Sequence, residues 1–172
     1  MRLETNRDRV LLLMQKLGGA VRGGGRVYFT GGASAVLLGW REMTVDVDFM
    51  AEPEPAGFFE ALPALKEQLE INLELASPPD FIPELPGWTD RSVFIDRHGP
   101  LDFYHYDFYS QALAKLERWH TRDRQDVDRM VSDGLVNKDR LRELFTAIEP
   151  RLIRYPAIHG PTFAARVHHF TA

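Results

Sequence analysis

Val27-Tyr28-Phe29-Thr30-Gly31-Gly32-Ala33-Ser34-Ala35-Val36-Leu37-Leu38, continuing Gly39-Trp40-Arg41-Glu42-Met43-Thr44-Val45-Asp46-Val47-Asp48-Phe49-Met50, is the stretch on which the fold turns. An apolar strand over 27–30 meets a Gly-Gly turn, and a short helix follows over 33–38. A second strand then sets Asp46 and Asp48 between Val45, Val47 and Phe49. Strand side chains two apart share a face. Asp46 and Asp48 therefore point the same way, while the three apolar residues turn to a core. Two carboxylates at that spacing raise each other's cost of ionising, and a divalent cation relieves it. Mg²⁺ in particular takes one or two carboxylates together with substrate phosphates. The Gly-Gly turn offers backbone N–H groups at the positive end of a helix, which suits a phosphate.

Taken singly, a Gly-Gly pair is a turn and an Asp-x-Asp is the solvated face of a strand. In this order, bracketing one short helix, they make a joined signal. The pattern resembles that of the DNA polymerase beta superfamily of nucleotidyltransferases: an apolar strand, Gly-Gly or Gly-Ser, a spacer, then Asp-apolar-Asp/Glu-apolar. Here Gly31-Gly32, thirteen intervening residues and Asp46-Val47-Asp48-Phe49 match it, the spacer standing at its upper limit. Thr30 departs from the pattern, where an apolar residue is commoner. Gly-Gly-x-x-Ala followed by Arg41, Thr44, Asp46 and Asp48 looks more narrowly like the AbiEii-like and minimal nucleotidyltransferases. A later segment, Lys115 with Arg122-Asp123-x-x-Asp126, resembles a second AbiEii-like signature. Its chemistry also reads directly. A lysine supplies a point charge to triphosphate oxygens, and an arginine grips phosphate with two N–H groups. Asp123 and Asp126 lie three apart on a helix, hence on one face, where they could hold Lys115 or Arg122 in place. Standing alone, the segment is a salt-bridged surface helix.

The resemblance covers about residues 25–130. It implies an α/β fold with a small mixed, largely antiparallel sheet, flanking helices and a C-terminal helical part. Residues 1–109 would form the nucleotidyltransferase-fold core, with 110–172 packed on it in a single compact unit. It implies an NTP-dependent, two-metal enzyme using Mg²⁺ (or Mn²⁺), with Asp46 and Asp48 as catalytic metal ligands. The superfamily usually adds a third carboxylate on a later strand. Asp102 is the choice here, with Asp96 and Asp107 as competitors, the last equally suited to capping a helix. Gly31, Gly32 and Ser34 would cradle phosphates, Lys115 and Arg122 would contact the triphosphate, and Arg41, Thr44, Asp123 and Asp126 would support. The acceptor hydroxyl would belong to a tRNA or other RNA, or to a protein. A cognate partner protein fits the toxin–antitoxin and phage-defence systems of such relatives. The alternative is a catalytically inactive, antitoxin-like binding partner on the same fold.

The remaining sequence bounds these expectations. With 172 residues and 44% apolar content, the chain can bury a real core. The absence of cysteine excludes disulfides, thiolate chemistry and zinc–cysteine sites, and fits a cytoplasmic chain. No apolar run approaches the ~20 residues of a membrane span. The net charge of −4 speaks against a generic nucleic-acid coat. Its distribution is uneven: 1–110 carry 10 Lys+Arg against 17 Asp+Glu, whereas 111–172 carry 11 against 8 and four of the six histidines. A modestly basic C-terminal half can receive phosphates or an RNA. A two-metal phosphodiesterase would call for more His and Asp ligands than the sequence clusters.

Periodicity predicts a helix over 4–19 ended by Gly18-Gly19, and a second over 56–69 with Phe58, Phe59, Leu62, Leu65 and Leu69 inward. Strands are expected over 71–75, 92–96 and 101–106. The proline-rich stretch 77–90, carrying Phe81, Ile82, Leu85 and Trp88, reads as an ordered loop that caps the sheet or faces substrate. Ser110 is the expected cap of a helix over 111–120. Further helices are expected over 123–133, over 137–149 and from Thr162.

Overall fold

The computed structural model describes residues 3–172. In chain order the elements are β1 (Thr5–Asn6), α1 (Arg7–Ala20), β2 (Gly25–Thr30), α2 (Gly31–Leu37), β3 (Met43–Thr44), β4 (Asp46–Ala51), α3 (Phe58–Leu69) and β5 (Asn72–Leu75). They continue with α4 (Trp88–Arg91), β6 (Val93–His98), β7 (Leu101–His105), α5 (Phe108–Arg118), α6 (Thr121–Ser132), α7 (Lys138–Ile148) and α8 (Gly160–Thr171). The described chain divides into two compact units. One joins the residues up to Ser77 with Ser92–His105, and the other joins Pro78–Arg91 with Tyr106–Ala172. Against a division at 109/110, the boundary lies four residues earlier and the proline-rich excursion goes with the helices.

The first unit is an α/β layer. Its main sheet runs β5-β4-β2-β7-β6, and β1 pairs with β3 in a small separate ribbon. The β2–β4, β6–β7 and β1–β3 pairings are antiparallel, whereas β2–β7 and β4–β5 are parallel. The sheet is mixed, as expected. Period-two alternation aims Val27, Phe29, Val47, Phe49, Leu101 and Phe103 into one buried cluster. There they meet Val10, Leu13, Met14 and Leu17 of α1 and Phe58, Leu62 and Leu65 of α3. Each such side chain contributes roughly 2 kcal/mol by leaving water. Two local expectations change. Gly18 and Gly19 lie inside α1 and do not end it, and a Cβ at Gly18 would strike the backbone of His98. Phe59 is 41% exposed, because the apolar stripe of α3 falls on Phe58 and Leu62 instead.

The second unit is helical. Asp107, not Ser110, caps α5, its carboxylate accepting from the N–H groups of Tyr109 and Ser110. Arg91 grips the same carboxylate with two N–H groups, at 3.1 and 2.8 Å. This ties the proline-rich excursion down, and Trp88 stacks on Tyr106 with centroids 4.5 Å apart. Arg151 donates to the Glu84 carbonyl and the Tyr155 hydroxyl to that of Pro79. Phe145 of α7 meets Phe163 of α8 edge-on. Among the described residues, no helix is long and apolar enough to cross a membrane.

Candidate active site

Asp46 and Asp48 stand two apart on β4, half-buried, with Val47 and Phe49 between and after them in the core. Val45 precedes the strand and is only partly buried. The neighbouring strands fix what surrounds the carboxylates, since paired residues of a sheet point to the same side. Thr30 of β2 lies opposite Asp48 on one side, and Glu74 of β5 lies opposite it on the other. One step along, Asn72 lies opposite Asp46 and donates its amide N–H to Asp46 Oδ1. This row of Thr30, Asp48 and Glu74, with Asp46 and Asn72 beside it, is the polar face of the first unit.

The glycines lie against it. The two are the first residues of α2 and not a turn ahead of it. Gly31 has φ +60°, and a Cβ there would stand 3.3 Å from Asp48 Oδ2. Any side chain would thus carry both a left-handed backbone and a crowded carboxylate. A Cβ at Gly32 would run into the Thr44 side chain, whose hydroxyl donates to the Asp46 carbonyl at 2.9 Å. Thr44 therefore joins the glycine pair to the carboxylate strand. Arg41 is half-buried between these elements in sequence. Thr30, the residue capping α2, makes no side-chain capping bond.

Ser34 is placed differently from its expected phosphate contact. It is buried, donates to the Phe29 carbonyl at 3.2 Å, and lies 2.9 Å from His105 Nδ1. With the serine proton on Phe29, the imidazole donates from Nδ1. Burial drives the His105 pKa down to about 4, which keeps the ring neutral. The chain His105–Ser34–Phe29 fastens α2 to β7 and β2, a latch that the sequence reading did not find.

Asp102 shares the polar face, but not the level of the aspartate pair. Its register partner on β2 is Arg26, whereas that of Asp48 is Thr30, four residues along. At the rise of a strand this is roughly 13 Å. Asp102 is instead 3.6 Å from the Arg97 guanidinium. Asp96 lies beside His98 at 3.3 Å, and Asp107 is the helix cap described above. The carboxylate that the sheet brings alongside Asp48 is Glu74. Among the described residues, no group of three or more His, Asp or Glu is gathered closely enough to hold a metal ion by itself. Two all-oxygen side chains on one strand do fit a hard cation whose remaining ligands come from phosphates and water.

In the second unit Lys115 is buried, its ammonium 2.8 Å from Asp126 and 3.8 Å from Asp123. Asp123 also receives two N–H groups from Arg118, at 2.8 and 2.6 Å, and the backbone N–H of His120. Burial pushes its carboxyl pKa up, but Arg118 and then Lys115 outweigh this and hold it below the usual range. The two aspartates thus grip Lys115 and Arg118, while Arg122 is exposed at the first turn of α6. Arg118 follows Lys115 on the same helix, and its pairing across the α5–α6 turn left no spacing signature.

A family described as "Nucleotidyltransferase of unknown function (DUF6036)" has a model that matches residues 25–155, about three quarters of the chain. No curated protein and no solved structure matches.

Proposed function

The chain belongs to that family of nucleotidyltransferases, and on this premise we propose that it moves a nucleoside monophosphate from an NTP to an acceptor hydroxyl, releasing pyrophosphate. The observation that carries the reading is the packing of Gly31 and Gly32 against Asp48 and Thr44. It sets the N-terminal turn of a helix beside two carboxylates that share one strand face. Asp46 and Asp48 would hold Mg²⁺ or Mn²⁺, with Asn72 fixing the carboxylate of Asp46. The bound metal supplies neutralising charge to the triphosphate as the α-phosphate is attacked. The backbone N–H groups at Gly31 and Gly32 would take phosphate oxygens. Glu74, exposed and in register with Asp48, is the carboxylate best placed to accept the proton of the acceptor hydroxyl. Asp102 takes no part.

Lys115, enclosed by Asp123 and Asp126, would act as a support, and Arg122 keeps the exposure a phosphate-gripping side chain needs. The narrower likeness of the motifs to AbiEii-like enzymes supports an RNA, tRNA or protein acceptor and a cognate partner protein. Calorimetry with each of the four NTPs and Mg²⁺ tests the reading. Micromolar, Mg²⁺-dependent binding that Asp46→Asn/Asp48→Asn abolishes is expected. A folded wild type that binds none of the four would overturn it and leave an antitoxin-like binding partner in its place.

A further inference from the structure

The outer face of α6 carries a concave site apart from the aspartate–glycine cluster, wholly within the helical unit. Thr121, Arg124, Gln125 and Asp128 recur at the three- and four-residue steps of a helix and so lie on one side. The opposite side, Asp123, Asp126, Val127 and Met130, is buried. With Trp119, His169 and Phe170, these four residues line an open cleft of about 430 Å³, within the size range of small-ligand sites.

Trp119 lines the cleft and is held there against a local preference. It ends α5 in the left-handed region, φ +61°, where glycine is the unstrained choice. A bulky residue is strained in that conformation, and such positions concentrate at functional sites. Two guanidiniums lie over its ring, Arg124 at 5.1 Å and Arg166 at 5.6 Å from the centroid, and His169 meets it edge-on at 6.2 Å. Lys138 lies 5.5 Å over the neighbouring Phe170 ring. Arg124 and His169 are exposed, while Arg166 is anchored to the Glu117 carbonyl.

We propose that this cleft binds a nucleotide unit: the exposed Arg124 side chain turns from the ring face to the phosphate, which the anchored Arg166 also holds, and a base stacks on Trp119 in its place. An aromatic platform beside cations is the arrangement that holds single-stranded nucleic acid without strict sequence preference. Gln125 offers both a donor and an acceptor to a base edge. Asp128, the one carboxylate of the lining, repels phosphate and accepts from sugar hydroxyls, so it sets the sugar on its own side and the phosphate towards the arginines. The nucleotide can be free or the end of a single strand. The second case would make the cleft the docking point of an RNA acceptor, and only that step rests on the transferase reading above.

The test is binding without divalent cation at low salt: anisotropy with a labelled short single-stranded RNA, and calorimetry with AMP and ATP. Trp119→Ala is expected to weaken binding about tenfold or more, with Trp119→Phe restoring most of it. Arg124→Ala, at an exposed position, is expected to weaken binding several-fold and to lower the salt slope by about one. Asp46→Asn/Asp48→Asn is expected to leave binding unchanged, which separates failure at this cleft from failure of the transferase reading. Loss for RNA and mononucleotides together assigns a free-nucleotide site, and loss for RNA alone assigns a strand site. Wild type that binds neither, Trp119→Ala that folds and binds as wild type, or binding lost with the aspartate pair would each overturn the proposal.

Discussion

Two acidic doublets, Asp46-x-Asp48 on β4 and Asp123-x-x-Asp126 on α6, look alike as text and are opposites in space. Each places two carboxylates on one face of its element. The strand doublet is half-buried, has a neutral amide for a neighbour and has a third carboxylate in register beside it. The helix doublet is enclosed, with Lys115 and Arg118 delivering two positive charges to two negative ones. Burial and the ion pairs around Lys115 separate them. The strand pair stands at a half-buried sheet face, whereas the helix pair is locked into the core together with the cations it holds. Spacing gives the face of the element, and only the partners decide which case applies.

Substitutions on the two sides should therefore fail in different ways. The largest effect is expected at the strand pair. Asp46→Asn/Asp48→Asn should reduce nucleotidyl transfer on the order of a thousandfold, about 4 kcal/mol in barrier, with little loss of thermal stability. Turnover with labelled NTP and melting curves read the two quantities. A variant that loses stability but not activity would invert the contrast. At the closed pair, Lys115→Met leaves Asp126 buried without its ammonium and should cost about 3–4 kcal/mol of unfolding free energy. Urea denaturation measures it, and Lys115→Met/Asp126→Leu should regain much of the loss by replacing both charges with apolar groups. Lys115→Met that keeps full stability but loses NTP affinity would return the lysine to the substrate.

The pH windows sharpen the difference. His105 is neutral in the folded chain, with its pKa lowered from the ordinary 6.5 to about 4. Between these values the unfolded chain binds the extra proton, so stability falls as pH falls from about 6.5 towards 4, by on the order of 3 kcal/mol. Asp123 is lowered, so its contribution is complete above the ordinary carboxylate pKa near 3.8 and is lost only as pH drops through the folded value. Amide exchange in β7 should therefore accelerate at milder acidity than exchange in α6. His105→Gln should flatten the first window and leave the second. The smallest effect is expected for Thr44→Ala, which removes one hydrogen bond to the Asp46 carbonyl. A loss of about 1 kcal/mol follows, with a measurable drop in transfer if Thr44 aligns the carboxylates.

What the sequence made legible was local. The strand, glycine pair, helix and second strand around Asp46 and Asp48 follow from period two and from the need for glycine at Gly31 and Gly32. Most of the helices follow from apolar stripes. What it hid was level and partnership. Alternation put Asp102 on the correct face, but nothing in its neighbourhood says that β7 pairs with β2 through Arg26 and not through Thr30. For the same reason Glu74 and Asn72 went unnoticed: their register against β4 is set across a whole intervening helix. Ser34 looked like a phosphate contact because it follows the glycines. A helix turn carries it round to His105, which is seventy-one residues away in sequence.

The division of the chain also shapes how it is made. The first unit is not finished at Ser77, because β7, the strand beside β2, arrives only after the excursion through Pro78–Arg91. While the ribosome adds those residues, at ~5–20 per second, the strand that leads into the glycine pair has one open edge for a second or more. The strand that bears Asp46 and Asp48 thus emerges early in translation, and the latch that His105 closes on Ser34 is among the last parts of that unit to appear.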